Sequence, residues 1–240
     1  MRIFIIRRST VMKATFFVLI VVTLGLLSYY PNTESLKKAP GTYYMATTGD
    51  KVVALTFDDG PDPAFTIPIL DILKQERVQA TFFVLGQTAK DNQRLLNRMI
   101  SEGHEIGNHG YTHDYRGRKI VEEIKRTDQL VFEATGFHTY FYRPPGGFAS
   151  KEQIDIVRNN GHVLTLWSVD SKDWRNKGSR YIIQNVLDGV FPGAIILLHD
   201  GGEKREQTVN ALPSIIDQLR QKGYKFVTLS ELRTLDSELK

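Results

Sequence analysis

The chain has 240 residues, of which 41% are hydrophobic and 24% charged, a composition typical of one globular domain with a short appendage. It contains no cysteine, which excludes disulfides and thiolate metal sites and leaves histidine and carboxylate ligands for any metal. Four of the 31 basic residues lie in the first thirty positions, which have no acidic residue, and the rest of the chain has 27 of each sign. This balance removes the electrostatic case for a nucleic-acid partner.

The first thirty residues predict a membrane segment. Arg2, Arg7, Arg8 and Lys13 precede an apolar run, Ala14–Tyr30, whose 17 residues fit either a signal-anchor or a cleaved signal peptide. No A-x-A-like cleavage site follows the run, which favours the anchor, and the one-sided charge argues against a buried core helix. The basic residues keep the N-terminus in the cytoplasm, so we expect a single-pass membrane protein whose C-terminal domain is extracellular, or a secreted protein if the segment is cleaved.

Residues 31–50 are polar and rich in turn formers, which predicts a linker to a folded domain of residues 51–240. Seven apolar runs then predict strands: VVALTF, ATFFVLG, HEIGNH, FYRPPG, VLTLWSVD, AIILLHD and FVTLS. Amphipathic segments between them predict helices at about 67–76, 90–102, 119–134, 151–160, 181–190 and 209–222. About seven strand-helix units predict a single α/β domain, a closed or nearly closed (β/α) barrel with its functional residues at the carboxyl ends of the strands.

Two clusters of ionisable residues follow the first and third predicted strands. Asp58 and Asp59 are adjacent carboxylates that repel unless they share a cation or a proton, and Gly60 lets the backbone turn so that both face one pocket. One could bind a metal while the other acts as a base, although Asp-Asp-Gly-Pro is also an ordinary exposed turn. His109 and His113 have the i, i+4 spacing that places two imidazoles on one face of a helical turn, suited to zinc; surface His pairs are the alternative.

Three further clusters follow later strands. Arg143 could orient a carboxylate and Gly146 could let a substrate approach backbone N–H groups, or RPPGG could be a structural loop with a surface arginine. Trp174 beside Asp173 suits sugar binding, because a flat ring offers an apolar face to a pyranose. His199 ends a strongly apolar strand and can exchange a proton near neutral pH if Asp173 fixes its tautomer. Five such clusters at the ends of five predicted strands indicate one active site.

In chain order, the motifs TFDDGP, NHGYTH, RPPGG, DSKDW and LLHD resemble the five motifs of the NodB-type polysaccharide deacetylases, carbohydrate esterase family 4. The resemblance covers roughly residues 51–230. It implies a distorted (β/α) barrel of about seven units, in agreement with the strand count. It also implies metal-dependent hydrolysis of N-acetyl groups from amino sugars of a polysaccharide, with release of acetate. The implied cofactor is a divalent metal ion, zinc first, with cobalt or another divalent ion as the alternative.

The resemblance assigns the metal and the proton transfers to particular side chains. It implies that Asp59, His109 and His113 bind the metal. Asp58 is then the general base and His199 the general acid.

Four other positions have supporting roles in the family, and two glycines depart from its pattern. The resemblance implies that Arg143 orients Asp58, that Asp173 supports His199, and that Trp174 and Gly146 contact the substrate. Gly110 stands where the family commonly has Ser or Thr, which predicts weaker support of the metal loop. Gly146 stands where an aromatic residue is frequent, which leaves its N–H available for an oxyanion but changes the shape of the groove.

An anchor and an extracellular domain fit a bacterial envelope, so peptidoglycan is the expected substrate, through its N-acetylglucosamine or N-acetylmuramic acid residues. Chitin-like oligomers come second. The expected partners are this polysaccharide and the membrane, through the N-terminal helix, and no nucleic acid. The expected location is the cell membrane, or the cell wall if the segment is cleaved. The alternative is a catalytically inactive glycan-binding protein of the cell surface, although binding alone would not need an acid, a base and metal ligands together.

Overall fold

A computed structural model describes residues 33–239 of the chain. The predicted membrane segment, residues 1–30, lies outside the described residues. Within residues 33–239, none of the helices has the length and apolar character needed to cross a membrane.

The strands of residues 33–239 form one curled parallel sheet of nine members. They are β1 (Thr42–Tyr43), β2 (Val52–Asp58), β3 (Thr81–Val84), β4 (Glu105–Asn108), β5 (Phe141–Tyr142), β6 (Val163–Thr165), β7 (Val169–Asp170), β8 (Ala194–His199) and β9 (Lys225–Phe226). Their order is β1-β6-β5-β4-β3-β2-β8-β7, and β9 pairs with the beginning of β2. Every strand ladder is parallel, which confirms the predicted barrel-like α/β fold.

Helices cover the outside of the sheet, except that the last of them packs its Leu229 and Leu232 in a cluster on the inner face. They are α1 (Thr33–Lys37), α2 (Pro63–Glu76), α3 (Gly86–Asp91), α4 (Gln93–Ser101), α5 (Ile120–Thr135), α6 (Lys151–Asn159), α7 (Ser179–Gly189), α8 (Glu206–Gln221) and α9 (Leu229–Thr234). Single 3₁₀ turns lie at Pro145–Gly147, Asp173–Arg175 and Ser237–Leu239.

Alternation along β2 decides which of its side chains reach the active site. Val53, Leu55 and Phe57 belong to the core between the sheet and the helices, whereas Ala54 belongs to a cluster on the opposite, inner face. Because side chains alternate along a strand, Thr56 and Asp58 share the inner face with Ala54. The apolar pattern of β2 therefore points these polar side chains into the barrel at the carboxyl end of the strand.

The run VLTLWSVD, predicted as one strand, is two strands with a break between them. β6 lies next to the edge strand β1, between β1 and β5, and β7 is the strand at the other edge, beside β8. Between them, the Leu166 N–H donates to the Tyr43 carbonyl at 2.8 Å and the Ser168 N–H donates to the Ile195 carbonyl at 3.0 Å. The segment therefore crosses from one edge of the curled sheet to the other, which requires the strand to break.

Three other predicted boundaries differ from the structure. Within the segment predicted as a linker at 31–50, α1 and β1 pack on the domain and bury Leu36 and Tyr43. The helix predicted at 90–102 is interrupted at Asn92, whose side chain bonds the Thr88 carbonyl and competes with the helix. The run FVTLS contributes only Phe226 to β9, since Thr228 caps α9.

Candidate active site

Asp58 is held at the end of β2 by a buried arginine. The Arg143 guanidinium donates from Nη1 to Asp58 Oδ1 at 2.6 Å and to Thr56 Oγ1 at 2.9 Å, and from Nη2 to the Leu166 carbonyl at 3.1 Å. Arg143 is completely buried, so the alternative of a surface arginine is wrong. The ion pair leaves Asp58 Oδ2 directed toward His109, whose Nε2 lies 3.9 Å away. One oxygen of Asp58 is thus fixed by Arg143 while the other faces the cavity.

Asp59 and two histidines form a cluster suited to a metal ion. Asp59 Oδ1 lies 3.4 Å from His109 Nε2 and 3.1 Å from His113 Nε2, and the three ligand atoms lie within 4.8 Å of one another. His109 Nδ1 lies 2.8 Å from the Arg143 carbonyl, which can only accept, so Nδ1 carries a proton and Nε2 is the nitrogen that faces Asp59 and can bind a metal.

The charge of Asp59 also suits a cation. Burial disfavours the carboxylate, but the neighbouring imidazoles of His109 and His113 hold the pKa of Asp59 well below its usual range. Two imidazole nitrogens and one carboxylate oxygen match the ligands of zinc sites, and three protein ligands leave a position for water or substrate. The residues present therefore fit a divalent metal ion.

The histidine pair lies on a loop rather than on the predicted helical turn. Gly110 has φ +81° and His113 has φ +63°, both in the left-handed region, so the segment does not continue as a helix. The buried Glu123 of α5 holds this loop: it accepts from the N–H groups of Tyr111 at 2.7 Å and Thr112 at 2.6 Å, and from Thr112 Oγ1 at 3.1 Å. Glu123 thus supports the metal-binding loop, for which the glycine at position 110 predicted weaker support.

We expect Glu123→Gln to weaken zinc binding by about 10- to 100-fold, the usual cost of losing a residue that orients a ligand. The N–H groups of Tyr111 and Thr112 share Oε2, so the amide oxygen can keep both bonds but without the carboxylate charge, and the amide NH₂ replaces the Oε1 that accepts from Thr112 Oγ1. Both changes weaken the hold on the loop that carries His113. Zinc affinity of the metal-stripped protein, measured by titration calorimetry, checks this. The exposed neighbour Glu122→Gln is the matched control, and equal affinity in the two variants would contradict the role of Glu123.

His199 and Asp173 form a second pair, whose histidine lies on the strand next to the one that carries Asp58. In the β2–β8 ladder, His199 is the register partner of Asp58. Asp173, fully buried, lies 2.7 Å from His199 Nδ1 through Oδ1, and its Oδ2 accepts from the His199 N–H at 2.8 Å and from Thr208 Oγ1 at 2.9 Å. Burial disfavours the imidazolium, but Asp173, with Asp58 and Asp59, raises the pKa of His199 to about 9.

Seven of the candidate residues line a cavity of about 670 Å³. They are Asp58, Asp59, His109, His113, Gly146, Trp174 and His199. Trp174 is 44% exposed at the rim. Arg143 and Asp173 contact the cavity residues from behind, through Asp58 and His199. The structure therefore brings all nine predicted residues to one site.

The departure at Gly146 is compensated in space by two other aromatic residues. A Cβ at Gly146 would lie 2.9 Å from the Tyr115 ring and 3.1 Å from the Phe148 ring. Both side chains line the cavity. The region where the family frequently has an aromatic residue is thus occupied by Tyr115 and Phe148.

Two charged residues near Asp59 were missed by sequence reasoning. The buried Arg205 donates from Nε to the Gly201 carbonyl at 2.9 Å, and its Nη2 lies 3.9 Å from Asp59 Oδ2. Asp200 accepts from Thr66 Oγ1 at 2.6 Å, and burial, with the charges of Asp59 and Asp58, raises its pKa to about 7. Asp200 also occupies the space into which any side chain at position 60 would project, which explains Gly60. Asp200 could have been found from the LLHD motif, because it follows His199 there, whereas no sequence motif marks Arg205.

Comparison with known proteins agrees with this geometry. Residues 45–165 match the family described as polysaccharide deacetylase. A peptidoglycan-N-acetylglucosamine deacetylase of Bacillus cereus is 40% identical over 188 residues, which cover 76% of this chain and 88% of the relative. A chitooligosaccharide deacetylase of Sinorhizobium fredii is 42% identical over 195 residues, which cover 74% of this chain and 89% of the relative.

A solved structure extends the agreement to the fold. A peptidoglycan N-acetylglucosamine deacetylase, crystallised in complex with 4-naphthalen-1-yl-N-oxidanyl-benzamide, is similar with a TM-score of 0.79 and 37% identity. The similarity covers 84% of this chain and 96% of that chain. Sequence, fold and site together show that this chain belongs to the polysaccharide deacetylases of carbohydrate esterase family 4 and is an N-deacetylase.

Proposed function

We propose that this protein removes N-acetyl groups from the amino sugars of peptidoglycan, with zinc as its metal, at the outer surface of the cell membrane. The observation that carries the proposal is the meeting, in one cavity, of the Asp58–Arg143 pair, the Asp59 metal cluster and the His199–Asp173 pair. The named activity of the Bacillus cereus relative supports the choice of peptidoglycan N-acetylglucosamine.

Asp59, His109 and His113 would hold the zinc ion, because their ligand atoms converge and their donor set suits it. When bound, the ion supplies Lewis acidity and a more acidic water. Cobalt or another divalent ion is the alternative occupant of the same ligands.

Asp58 would take the proton from the attacking water. Arg143 fixes Oδ1, so the proton is accepted at Oδ2, the oxygen on the side of His109. The buried guanidinium keeps Asp58 in one orientation through the reaction. Gly146, which lines the cavity, would offer its N–H to the oxyanion that develops on the acetamide.

His199 would give a proton to the departing sugar nitrogen, because an amide does not expel an amine anion. Its Nδ1 is bonded to Asp173, so Nε2 is the atom that donates. With a pKa raised to about 9, the imidazolium form is present at neutral pH and is lost as the pH rises through that value. The rate of acetate release should therefore fall as the pH rises through about 9.

Asp173→Asn should move this alkaline limb of the rate profile to lower pH. The substitution removes the charge that raises the pKa of His199, while burial continues to oppose the imidazolium. The measurement is kcat/KM for acetate release across pH. Thr208→Val, which removes a hydrogen bond from Asp173 but no charge, is the control and should keep the limb in place. A limb unmoved in Asp173→Asn would exclude His199 as the group that titrates.

Trp174 would bind a sugar ring of the polymer at the rim. The Trp174 ring is exposed, so its flat apolar surface is accessible to a sugar. The hydrogen bond that Nε1 donates to Asp170 Oδ1, at 3.4 Å, positions the ring beside the cavity. Chitin-like chains also contain N-acetylglucosamine, and the Sinorhizobium relative is named for such a substrate. These chains are therefore the second candidate substrate.

The experiment is acetate release by the zinc-loaded protein from intact peptidoglycan and from N-acetylglucosamine oligomers. Faster release from peptidoglycan supports the proposal, and faster release from the oligomers supports the chitin-like alternative. Binding of glycan without acetate from either substrate would support the inactive glycan-binding protein instead.

A further inference from the structure

The segment that leads from the proposed membrane anchor enters the fold beside the active site. Thr33 begins α1 and lines the same cavity as Asp58, Asp59 and His199. Leu36 of α1 is buried in a cluster with Ile120 and Ile154, so the helix is packed onto the domain. The chain therefore reaches the mouth of the cavity at its first described residue.

The length of chain available between anchor and cavity is short. Tyr30 ends the apolar run, and three residue steps separate it from Thr33. At most about 11 Å can be spanned by three steps of an extended chain. The headgroup layer on one side of a bilayer is itself about 5–7 Å thick. An uncleaved anchor would thus hold the mouth of the cavity at the headgroup layer.

The side chains around this part of the mouth suit contact with lipid headgroups. Tyr115 and Phe148 are 58% and 39% exposed there, and rings at this depth are favoured at membrane interfaces. Arg116 and Arg118, on the loop that carries Tyr115, are exposed guanidinium groups that can pair with lipid phosphates.

The loop that carries these cations is held in place against the domain. Asp114 accepts from the N–H groups of Arg116 at 3.0 Å and Arg118 at 3.2 Å. Gln153 of α6 donates to the Gly117 carbonyl at 3.3 Å. Since Ile120 and Ile154 share the cluster of Leu36, this loop, α6 and α1 lie on one side of the domain.

We propose that the membrane-proximal rim, formed by Thr33, Tyr115, Arg116, Arg118 and Phe148, lies against the outer lipid surface of the cell membrane. The active site then opens toward glycan strands at the membrane and not toward the bulk of the wall. This inference rests on the proposed anchor and deepens the proposed function, because it names the part of the polymer that the enzyme can reach.

The absence of native cysteine makes a direct distance test possible. The full chain would be reconstituted in vesicles of phosphatidylcholine and phosphatidylglycerol, with a donor dye on one introduced cysteine and acceptor dyes on outer-leaflet headgroups. Lys151→Cys is exposed at the start of α6, on the side of the rim, and Asp50→Cys is exposed before β2, at the opposite end of the strands. Positions 151 and 50 lie near opposite ends of the strands, so their heights along the strand direction differ by the length of β2, about 20 Å at ~3.3 Å per residue.

We expect clearly stronger energy transfer from position 151 than from position 50. Equal transfer, or stronger transfer from position 50, would overturn the inference. A chain that does not float with the vesicles would overturn both the anchor and the inference. Acetate release by the same preparations reports separately on the deacetylase activity. An incorrect placement of the rim at the membrane can therefore be distinguished from the absence of deacetylase activity.

Discussion

Asp58→Asn is expected to lower the rate of acetate release by at least about 100-fold, the usual contribution of a general base. The amide cannot accept the proton of the attacking water, yet it retains an oxygen for the hydrogen bond from Arg143. Zinc affinity should change little, because the metal cluster consists of Asp59, His109 and His113. The measurement pairs the initial rate of acetate release with zinc titration of the same preparation.

Two controls separate this effect from loss of folding. Breaking a buried ion pair costs about 3–5 kcal/mol, so thermal unfolding of Asp58→Asn must be recorded and the rate measured well below its midpoint. Asp62→Asn makes the same chemical change in the same loop, where Asp62 caps α2, and an asparagine caps equally well. Near-normal activity in Asp58→Asn would remove Asp58 from the role of base.

His199→Ala is the second large effect, with an expected loss of at least about 100-fold on amide substrates. The loss should depend on the leaving group. An aryl acetate expels a phenolate that needs no proton, so the variant should retain far more activity on such an ester than on an N-acetyl sugar. Asp58→Asn, by contrast, should lose activity on both substrates because water must be activated in each case.

His138→Ala serves as the matched control for His199→Ala. His138 is exposed and stacks on Phe132 on α5, away from the cavity residues. An equal fractional loss on the amide and the aryl ester in His199→Ala would contradict a general acid and would indicate a structural role.

The sequence predicted the barrel and the meeting of the nine residues because the relevant signals are local. The apolar alternation of β2 and β8 fixes their inner faces, and parallel strands bring their carboxyl ends to one edge of the sheet. The family motifs then identified the side chains at that edge.

Features that depend on tertiary contacts were not predictable in this way. Glu123 lies in an amphipathic helix where a carboxylate reads as solvent-exposed, and only the packing of α5 against the loop shows what it bonds. Arg205 lies in the loop after β8 but outside the LLHD motif, although it approaches Asp59 in the fold. The polar segment 33–50 reads as a linker because burial of Leu36 and Tyr43 depends on surfaces far along the chain.

Metal-dependent deacetylation is tested most directly by acetate release before and after metal loading. The chain would be stripped with a chelator, assayed on peptidoglycan, and assayed again after addition of one equivalent of zinc or cobalt. We predict no acetate from the stripped protein and restored release on loading, with no restoration in Asp59→Asn. Equal acetate release by the stripped and loaded proteins, or none from a protein shown to bind the metal, would contradict the account.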